Sequence, residues 1–175
     1  MSAVTKLEKQ IGGLFKGAPA LPENGKEGLV KAWPWIALIF GVLQLLAAWG
    51  LWELTRRSER LIDTLSMYYT NGSYGLSSFD KTMVYVGIVV LLVDAVILLM
   101  AYPELKKRAK RGWDLLFLGA LLNLGYSIVT LFIDDRGVGS FIFSLLTSAI
   151  GFYLLFQVRE KYKSAGGAKK PAAKS

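Results

Sequence analysis

The stretch LLVDAVILLM, residues 91–100, places a single carboxylate, Asp94, in the middle of a long apolar run. No Lys or Arg lies within ten positions of it on either side. An ionised carboxylate facing lipid would cost roughly 2.5 kcal/mol or more, so we expect the Asp94 side chain to point into a group of packed helices. The run therefore predicts a membrane-spanning helix with a polar group buried near its midpoint.

Three further runs of the same kind accompany it. The chain of 175 residues is 53% hydrophobic, which is more than a soluble domain usually contains. Crossing a hydrocarbon core about 30 Å thick takes roughly 20 apolar residues, and four runs meet this length. They cover residues 32–54, 82–102, 113–133 and 139–158. The pattern predicts an all-α membrane protein, an antiparallel bundle of four transmembrane helices occupying residues 32–158.

The flanking segments have their own patterns. Residues 1–31 are predicted to be a cytoplasmic amphipathic segment and linker. They are too polar for a signal peptide, so we expect the first run to be retained as a transmembrane helix. Apolar residues at helical spacing in residues 3–16 favour a short interfacial helix, with a frayed tail as the alternative because of the glycine pair at 12–13. The Pro and Gly content of residues 18–28 predicts a linker, and Pro34 suits a first helical turn. Residues 159–175 are basic and of low complexity, which predicts a disordered tail.

The net charge of +8 is distributed unevenly. Of the 21 basic residues, 16 lie in the N-terminal segment, in the loop between the second and third runs, and in the C-terminal segment. The positive-inside rule then predicts a multi-pass protein of the cell membrane with both termini in the cytoplasm. The excess charge also favours contact with anionic headgroups. The candidates for this headgroup contact are the loop residues Lys106, Lys107, Arg108, Lys110 and Arg111. The alternative is that the loop only determines the topology. The sequence shows neither a recognition helix nor an aromatic platform, so we expect no nucleic-acid binding.

Each run carries polar side chains near its midpoint. Because neighbouring helices alternate in direction, their midpoints meet at one depth, and the sequence predicts an intramembrane polar cluster of Gln44, Asp94, Asn123, Thr147 and Ser148. Small residues share these helix faces and allow close approach of the backbones. The predicted packing positions are Ala37, Gly41, Gly87, Gly119, Ser127, Ser144 and Gly151. We expect these faces to look toward one another or toward a partner chain.

Two interpretations of Asp94 follow from its surroundings. It stays protonated, because burial disfavours the charged form, and holds the helices together through hydrogen bonds to Gln44 or Asn123. Alternatively it lies in a wet cavity, ionised, where it takes up a proton or a cation.

Composition also limits the function. The chain has no Cys and no His, which removes the usual zinc sites and the Ser–His and Cys–His nucleophile pairs. We therefore expect no enzymatic activity, no catalytic residues, no metal and no cofactor. The favoured function is a non-enzymatic accessory, assembly or interaction component that packs with copies of itself or with other membrane subunits. The alternative is a small proton- or cation-coupled transporter or channel subunit that uses Asp94 at the bilayer midplane.

Overall fold

The computed structural model describes residues 3–68, 78–133 and 137–162. In these ranges the chain forms five α-helices and a C-terminal 3-10 turn, with no strand, which confirms the all-α fold class. The elements are α1 (Ala3–Leu14), α2 (Glu23–Tyr68), α3 (Ser78–Lys106), α4 (Lys110–Ile133), α5 (Gly137–Gln157) and the turn Arg159–Lys161. Residues 69–77, between the first two predicted runs, residues 134–136, between the last two, and the tail from residue 163 lie outside the described residues.

Three of these helices, α2, α3 and α4, are long and apolar enough to cross a membrane. The apolar part of α5, Ile142–Gln157, is shorter. Large apolar side chains on the outer faces of the helices are exposed. Such a surface is favourable in hydrocarbon and unfavourable in water. The structure therefore indicates a membrane protein with three candidate spans, one fewer than the sequence predicts.

The first long helix extends well beyond its predicted bounds. With 46 residues, α2 is about 69 Å long at 1.5 Å per residue. It begins at Glu23, inside the predicted linker, so Pro34 lies within the helix and not in its first turn. Tertiary contacts account for the difference, because Val30 is buried and Glu27 pairs with Arg108 at 2.8 Å. These contacts outweigh the weak helix propensity of the Pro- and Gly-rich sequence.

The helices pack in chain order. The α3 helix lies between α2 and α4, and α5 packs on the other side of α4, while α2 and α5 make little direct backbone contact. Side chains that pack on α3 from two sides are therefore the ones that meet near Asp94.

The largest fully buried side chains lie at the end of the bundle that holds both ends of the described chain. Trp113 stacks on Phe117 with ring centroids 5.4 Å apart, and Phe152 meets Phe117 edge-on at 5.8 Å. The Trp113 indole N–H donates a hydrogen bond of 2.8 Å to the Leu155 carbonyl. That carbonyl belongs to the last turn of α5, where helix geometry leaves acceptors without a backbone partner. The bond fixes the end of α5 against the start of α4.

The N-terminal segment packs beneath this end of the bundle. Phe15 stacks against Phe156 at 6.1 Å, and the Tyr153 hydroxyl donates to the Pro19 carbonyl at 2.7 Å. A Cβ at Gly12 would lie 2.9 Å from the Phe156 ring, so the glycine permits this close approach. Residues 3–14 are thus helical despite the glycine pair, and they are anchored to α5.

The start of the predicted disordered tail is ordered, which corrects that prediction for residues 159–162. The Arg159 Nε donates to the buried Glu8 carboxylate at 2.7 Å, and the guanidinium lies 5.6 Å from the centroid of the Trp113 ring. Lys161 hydrogen-bonds to Glu23 at 2.6 Å, and this bond raises the pKa of Lys161. Burial raises the pKa of the Tyr162 phenol to about 12. These partners lie more than 130 positions away in the chain, so composition alone could not reveal them.

Candidate functional site

Asp94 lies on the buried face of α3. It is only 2% exposed, and the neighbouring Ala95 and Ala101 on this helix are fully buried. Burial of a carboxyl group is unfavourable unless hydrogen bonds replace those it makes with water. The surroundings of Asp94 are therefore the first place to look for function.

Two amide side chains hydrogen-bond to this carboxyl group, one from each helix flanking α3. The Gln44 Nε2 of α2 donates to Asp94 Oδ2 at 2.6 Å, and the Asn123 Nδ2 of α4 donates to the same oxygen at 2.8 Å. Asn123 also donates to the Gly119 carbonyl of its own helix at 3.0 Å. We call Gln44, Asp94 and Asn123 the Asp94 junction, since one oxygen atom joins three helices.

Glycines make room for this junction. A Cβ at Gly119 would lie 2.8 Å from Asp94 Oδ1, which is closer than atoms pack. On the opposite side of α3, a Cβ at Gly41 would lie 3.0 Å from the Leu99 side chain and 3.4 Å from the Ala95 carbonyl oxygen. A larger residue at either glycine would require the neighbouring side chain across the helix contact to shift. The glycines thus set the spacing that the two short hydrogen bonds require.

Two oxygens of the junction are buried without a hydrogen-bond partner in the described part of the chain. They are Asp94 Oδ1 and Gln44 Oε1. Nor does any salt bridge join Asp94 to Lys or Arg among those residues. An unpaired buried acceptor typically costs about 1–3 kcal/mol.

The polar residues of α5 lie elsewhere. Thr147 is exposed, and its hydroxyl donates to the Phe143 carbonyl of the same helix at 2.9 Å. Ser148 is half-buried and, within the described residues, does not hydrogen-bond to Asp94. The structure therefore gathers Gln44, Asp94 and Asn123 of the predicted cluster and leaves Thr147 and Ser148 apart.

The predicted packing positions divide in a similar way. Ala37 is buried, a Cβ at Gly87 would lie 2.9 Å from the Tyr126 hydroxyl, and the hydroxyls of Ser127 and Ser144 are 2.6 Å apart. At Gly151, in contrast, an added Cβ would meet nothing within 4 Å. Most of these positions thus lie between helices of one chain, while Gly151 looks into open space.

The basic residues of the predicted headgroup loop are exposed or half-buried, and four of the five have partners within the described part of the chain. The Lys106 ammonium lies 5.5 Å from the centroid of the Trp35 ring, and Arg108 pairs with Glu27. Lys107 pairs with Glu104 at 3.8 Å, and Lys110 pairs with Asp114 at 2.6 Å. Arg111 is exposed.

A second group of charged residues is not apparent from sequence patterns. Glu8, Glu23 and Glu27 of the N-terminal segment pair with Arg159, Lys161 and Arg108 at the end of the bundle. The available signal is the presence of three acidic residues in a segment otherwise dominated by lysines. The described ranges contain no group of three or more His, Cys, Asp or Glu side chains that could hold a metal ion.

No protein-family model, curated protein or solved structure matches this chain.

Proposed function

We propose that this protein is a non-enzymatic component of a membrane assembly, an accessory or interaction subunit that packs against a second copy of itself or against other membrane proteins. Three helices long and apolar enough to cross a membrane support the membrane setting. We further propose that α5 is a fourth span and that both termini lie on the cytoplasmic side of the cell membrane. The basic residues near the termini and in the α3–α4 loop support this orientation.

The observation that carries the interaction role is the outward face of α5. Thr147 is exposed, and Gly151, one turn further along, has open space where a side chain would be. Two small residues four positions apart form the pattern through which membrane helices approach one another closely. They stand among large apolar side chains such as Phe143 and Ile150, which are 73% and 60% exposed. A helix from another chain would fit against the recess between them.

The Asp94 junction also supports an interaction role for the outer helix faces. Its carboxyl group is almost fully buried and joins helices α2, α3 and α4 through two short hydrogen bonds. A group used in this way stabilises the fold, so the surface available for function lies on the outer helix faces.

The test uses the natural absence of cysteine. In Thr147→Cys, oxidation in native membranes should produce a disulfide-linked dimer if α5 packs against its copy. Leu146→Cys is the matched control, because Leu146 is 59% exposed but lies about 100° around the helix. We expect cross-linking of the Thr147 variant alone.

A hetero-oligomer calls for a second measurement. The wild-type chain and Gly151→Leu would each be purified in mild detergent and their co-purifying membrane proteins identified by mass spectrometry. A partner retained by the wild type and lost from the variant supports the proposal. The proposal fails if neither cysteine cross-links and no partner depends on Gly151.

The second candidate function is proton or cation coupling at Asp94. The specific observation in its favour is the unpartnered Asp94 Oδ1, together with the exposure of Asn123, through which the junction reaches the surface of the described chain. If Asp94 exchanges protons, liposomes containing the wild-type protein should dissipate a pH gradient faster than empty liposomes, and Asp94→Asn should abolish the difference.

If Asp94 only joins helices, neither the wild type nor Asp94→Asn should conduct protons. The stability of two substitutions at Asp94 then tests this structural role. Asp94→Asn keeps an acceptor for both amides, whereas Asp94→Leu removes the bond that each of Gln44 and Asn123 donates to this position. Since hydrogen bonds in membrane proteins average about 0.6 kcal/mol, the Leu variant should lose roughly 1 kcal/mol more than the Asn variant.

A further inference from the structure

The contact between α3 and α4 widens with distance from the turn that joins them. Beside the turn, a Cβ at Gly112 would lie 2.6 Å from a backbone atom of α3, so the two backbones are in contact. At the depth of the junction, a Cβ at Gly119 would lie 2.8 Å from Asp94 Oδ1. Two turns further along α3, a Cβ at Gly87 would lie 2.9 Å from the Tyr126 hydroxyl. A whole tyrosine side chain thus fills the space there, which we call the wedge.

Burial differs between the two sides of the junction in the same sense. On the side of the turn, four side chains of α3 and α4 are at most 1% exposed, namely Ala101, Leu105, Trp113 and Phe117. On the other side, none of residues 123–131 of α4 and none of residues 142–150 of α5 is buried. Close-packed interiors contain few voids that could hold water. The Asp94 carboxyl group is therefore closed off on the side of the turn.

Polar side chains of α4 lie along the wedge. Asn123, Tyr126 and Thr130 share one helix face by their spacing of three and seven positions. Beside them, the hydroxyl oxygens of Ser127 and Ser144 are 2.6 Å apart. Hydroxyl and amide groups can hydrogen-bond to water, whereas the apolar side chains on the packed side cannot. The wedge is thus the route by which water can approach the junction.

An oxygen without a hydrogen-bond partner lies where this route ends. Asp94 Oδ1 is buried and accepts no hydrogen bond from the described residues, and none of their ion pairs includes Asp94. The groups that face it from α2 and α4 are the neutral amides Gln44 and Asn123. The nearest charged residues along those two helices are Glu53 and Asp114, nine positions from the amides, or about 13 Å along the helix axis. No charged residue occurs in α5.

We propose that, in this conformation, the Asp94 carboxyl group exchanges protons with water only through the wedge, and that Tyr126 closes the wedge between exchanges. Hydronium transfers its proton to Oδ1 and leaves as water, and the reverse step releases the proton. The inference rests on the second candidate function, proton exchange at Asp94, and adds its direction. In the orientation proposed above, Asp94 responds to the proton concentration outside the cell. Transport across the membrane would need a second conformation in which the packed side opens.

The first measurement tests the wedge without requiring a proton on Asp94. Because the chain has no Cys, single cysteines can replace Ser127 and Ala120, which lie seven positions apart on one helix face, on either side of Asn123. Both side chains are half-buried. A charged methanethiosulfonate reacts with the ionised thiol, which forms only in contact with water. Present on both sides of liposomes, it should label Ser127→Cys, and it should label Ala120→Cys only after unfolding in SDS.

The second measurement follows the proton on Asp94 in the full-length chain. The infrared C=O band of a protonated carboxyl group shifts when deuterium replaces the hydrogen, and loss of the band in Asp94→Asn identifies it. Liposomes containing the protein are transferred into D2O at a series of pD values. The band of the wild type should shift slowly. In Tyr126→Ala the shift should be roughly tenfold faster or more, because opening of the packed wedge no longer limits exchange.

Two control variants separate the wedge from general loosening of the fold. Leu116→Ala truncates a side chain that is 7% exposed and lies seven positions before Asn123, on the packed side of the junction. Tyr126→Phe keeps the ring that fills the wedge. Both should exchange deuterium at nearly the rate of the wild type. The near-isosteric Ser127→Cys keeps the proposal testable if Tyr126→Ala does not fold.

Different failures have different meanings. A dry wedge would leave Ser127→Cys unlabelled in the folded protein, and equal labelling of Ala120→Cys would show that access is not one-sided. Either result overturns the proposal, as do equal exchange rates in Tyr126→Ala and Leu116→Ala, although proton binding at Asp94 would then survive. Absence of a protonated Asp94 band at every pD would remove the second candidate function itself and this inference with it.

Discussion

At the residue scale, one oxygen atom decides how three helices meet. Asp94 Oδ2 accepts hydrogen bonds of 2.6 and 2.8 Å from the amides of Gln44 and Asn123. In lipid, a polar side chain has few other partners, so these bonds select the rotation of each helix about its axis. Hydropathy alone would allow many rotations. The small residues at the same depth then determine how closely the helices approach.

The first prediction concerns Gly119, where an added methyl group would lie 2.8 Å from Asp94 Oδ1. Two hydrogen bonds on the other carboxyl oxygen restrict its retreat. We expect Gly119→Ala to lose about 1–3 kcal/mol of stability, the usual cost of overpacking, partly offset by the better helix propensity of Ala. Reversible unfolding in detergent micelles measures the difference.

Gly125 is the matched control, since it lies in the same helix and an added Cβ would meet nothing within 4 Å. Gly125→Ala should be neutral or should gain up to about 1 kcal/mol from helix propensity. If the two alanine variants are equally stable, the close packing of Gly119 against Asp94 is wrong.

At the element scale, the turn between α3 and α4 stabilises the end of the bundle. The Ala109 N–H donates to the Glu104 carbonyl at 2.9 Å, and the Arg108 N–H donates to the Leu105 carbonyl at 3.0 Å. This pair of bonds is the Schellman motif, which requires a left-handed residue after the helix. That residue is Arg108, with φ of 52°, where glycine is usual. Arg108 is strained in this conformation, but its side chain forms an ion pair with Glu27.

The second prediction tests this exchange. Arg108→Gly and Arg108→Ala both lose the ion pair, but only Gly relieves the left-handed backbone. The Gly variant should therefore be more stable than the Ala variant by about 1 kcal/mol, as measured by unfolding in detergent. At Lys106, the last residue of α3, the order should be reversed, because Gly disfavours helix by about the same amount. The same order at both positions would contradict the role given to Arg108.

At the scale of the whole molecule, the two ends of the described chain contact each other. Glu8 pairs with Arg159, Glu23 pairs with Lys161, and the Gln157 side chain accepts a hydrogen bond of 3.1 Å from the Leu21 N–H. Both termini of the described chain therefore lie at one end of the bundle. This is the arrangement expected if α5 is a fourth span, as proposed above.

The third prediction concerns membrane topology and again uses the absence of cysteine. Single cysteines at Ser73 and Ser164 would be treated with an impermeant maleimide in intact cells and in permeabilised cells. We expect Ser73→Cys to be labelled in intact cells and Ser164→Cys only after permeabilisation. Labelling of Ser164→Cys alone would reverse the orientation. Labelling of both would show that α5 does not span.

Much of this fold follows from the sequence alone. Apolar length and helical periodicity are local properties of the chain, and in lipid the backbone must satisfy its own hydrogen bonds within each helix. The positions of α3 and α4, the inward direction of Asp94, and the amides Gln44 and Asn123 at its depth could be predicted for this reason. Gly119 lies four positions before Asn123 on α4, so the 3.6-residue spacing places both on the same helix face.

Only the tertiary structure decided which of the inward-facing groups meet. Thr147 has the right depth but lies on α5, which packs on α4 away from Asp94, so its hydroxyl bonds to its own helix. The early start of α2 and the order at residues 159–162 depend on pairs distant in the chain, such as Glu8 and Arg159, 151 positions apart. Local patterns carry no information on such pairs, because their stability arises only when packed helices bring the two ends of the chain together.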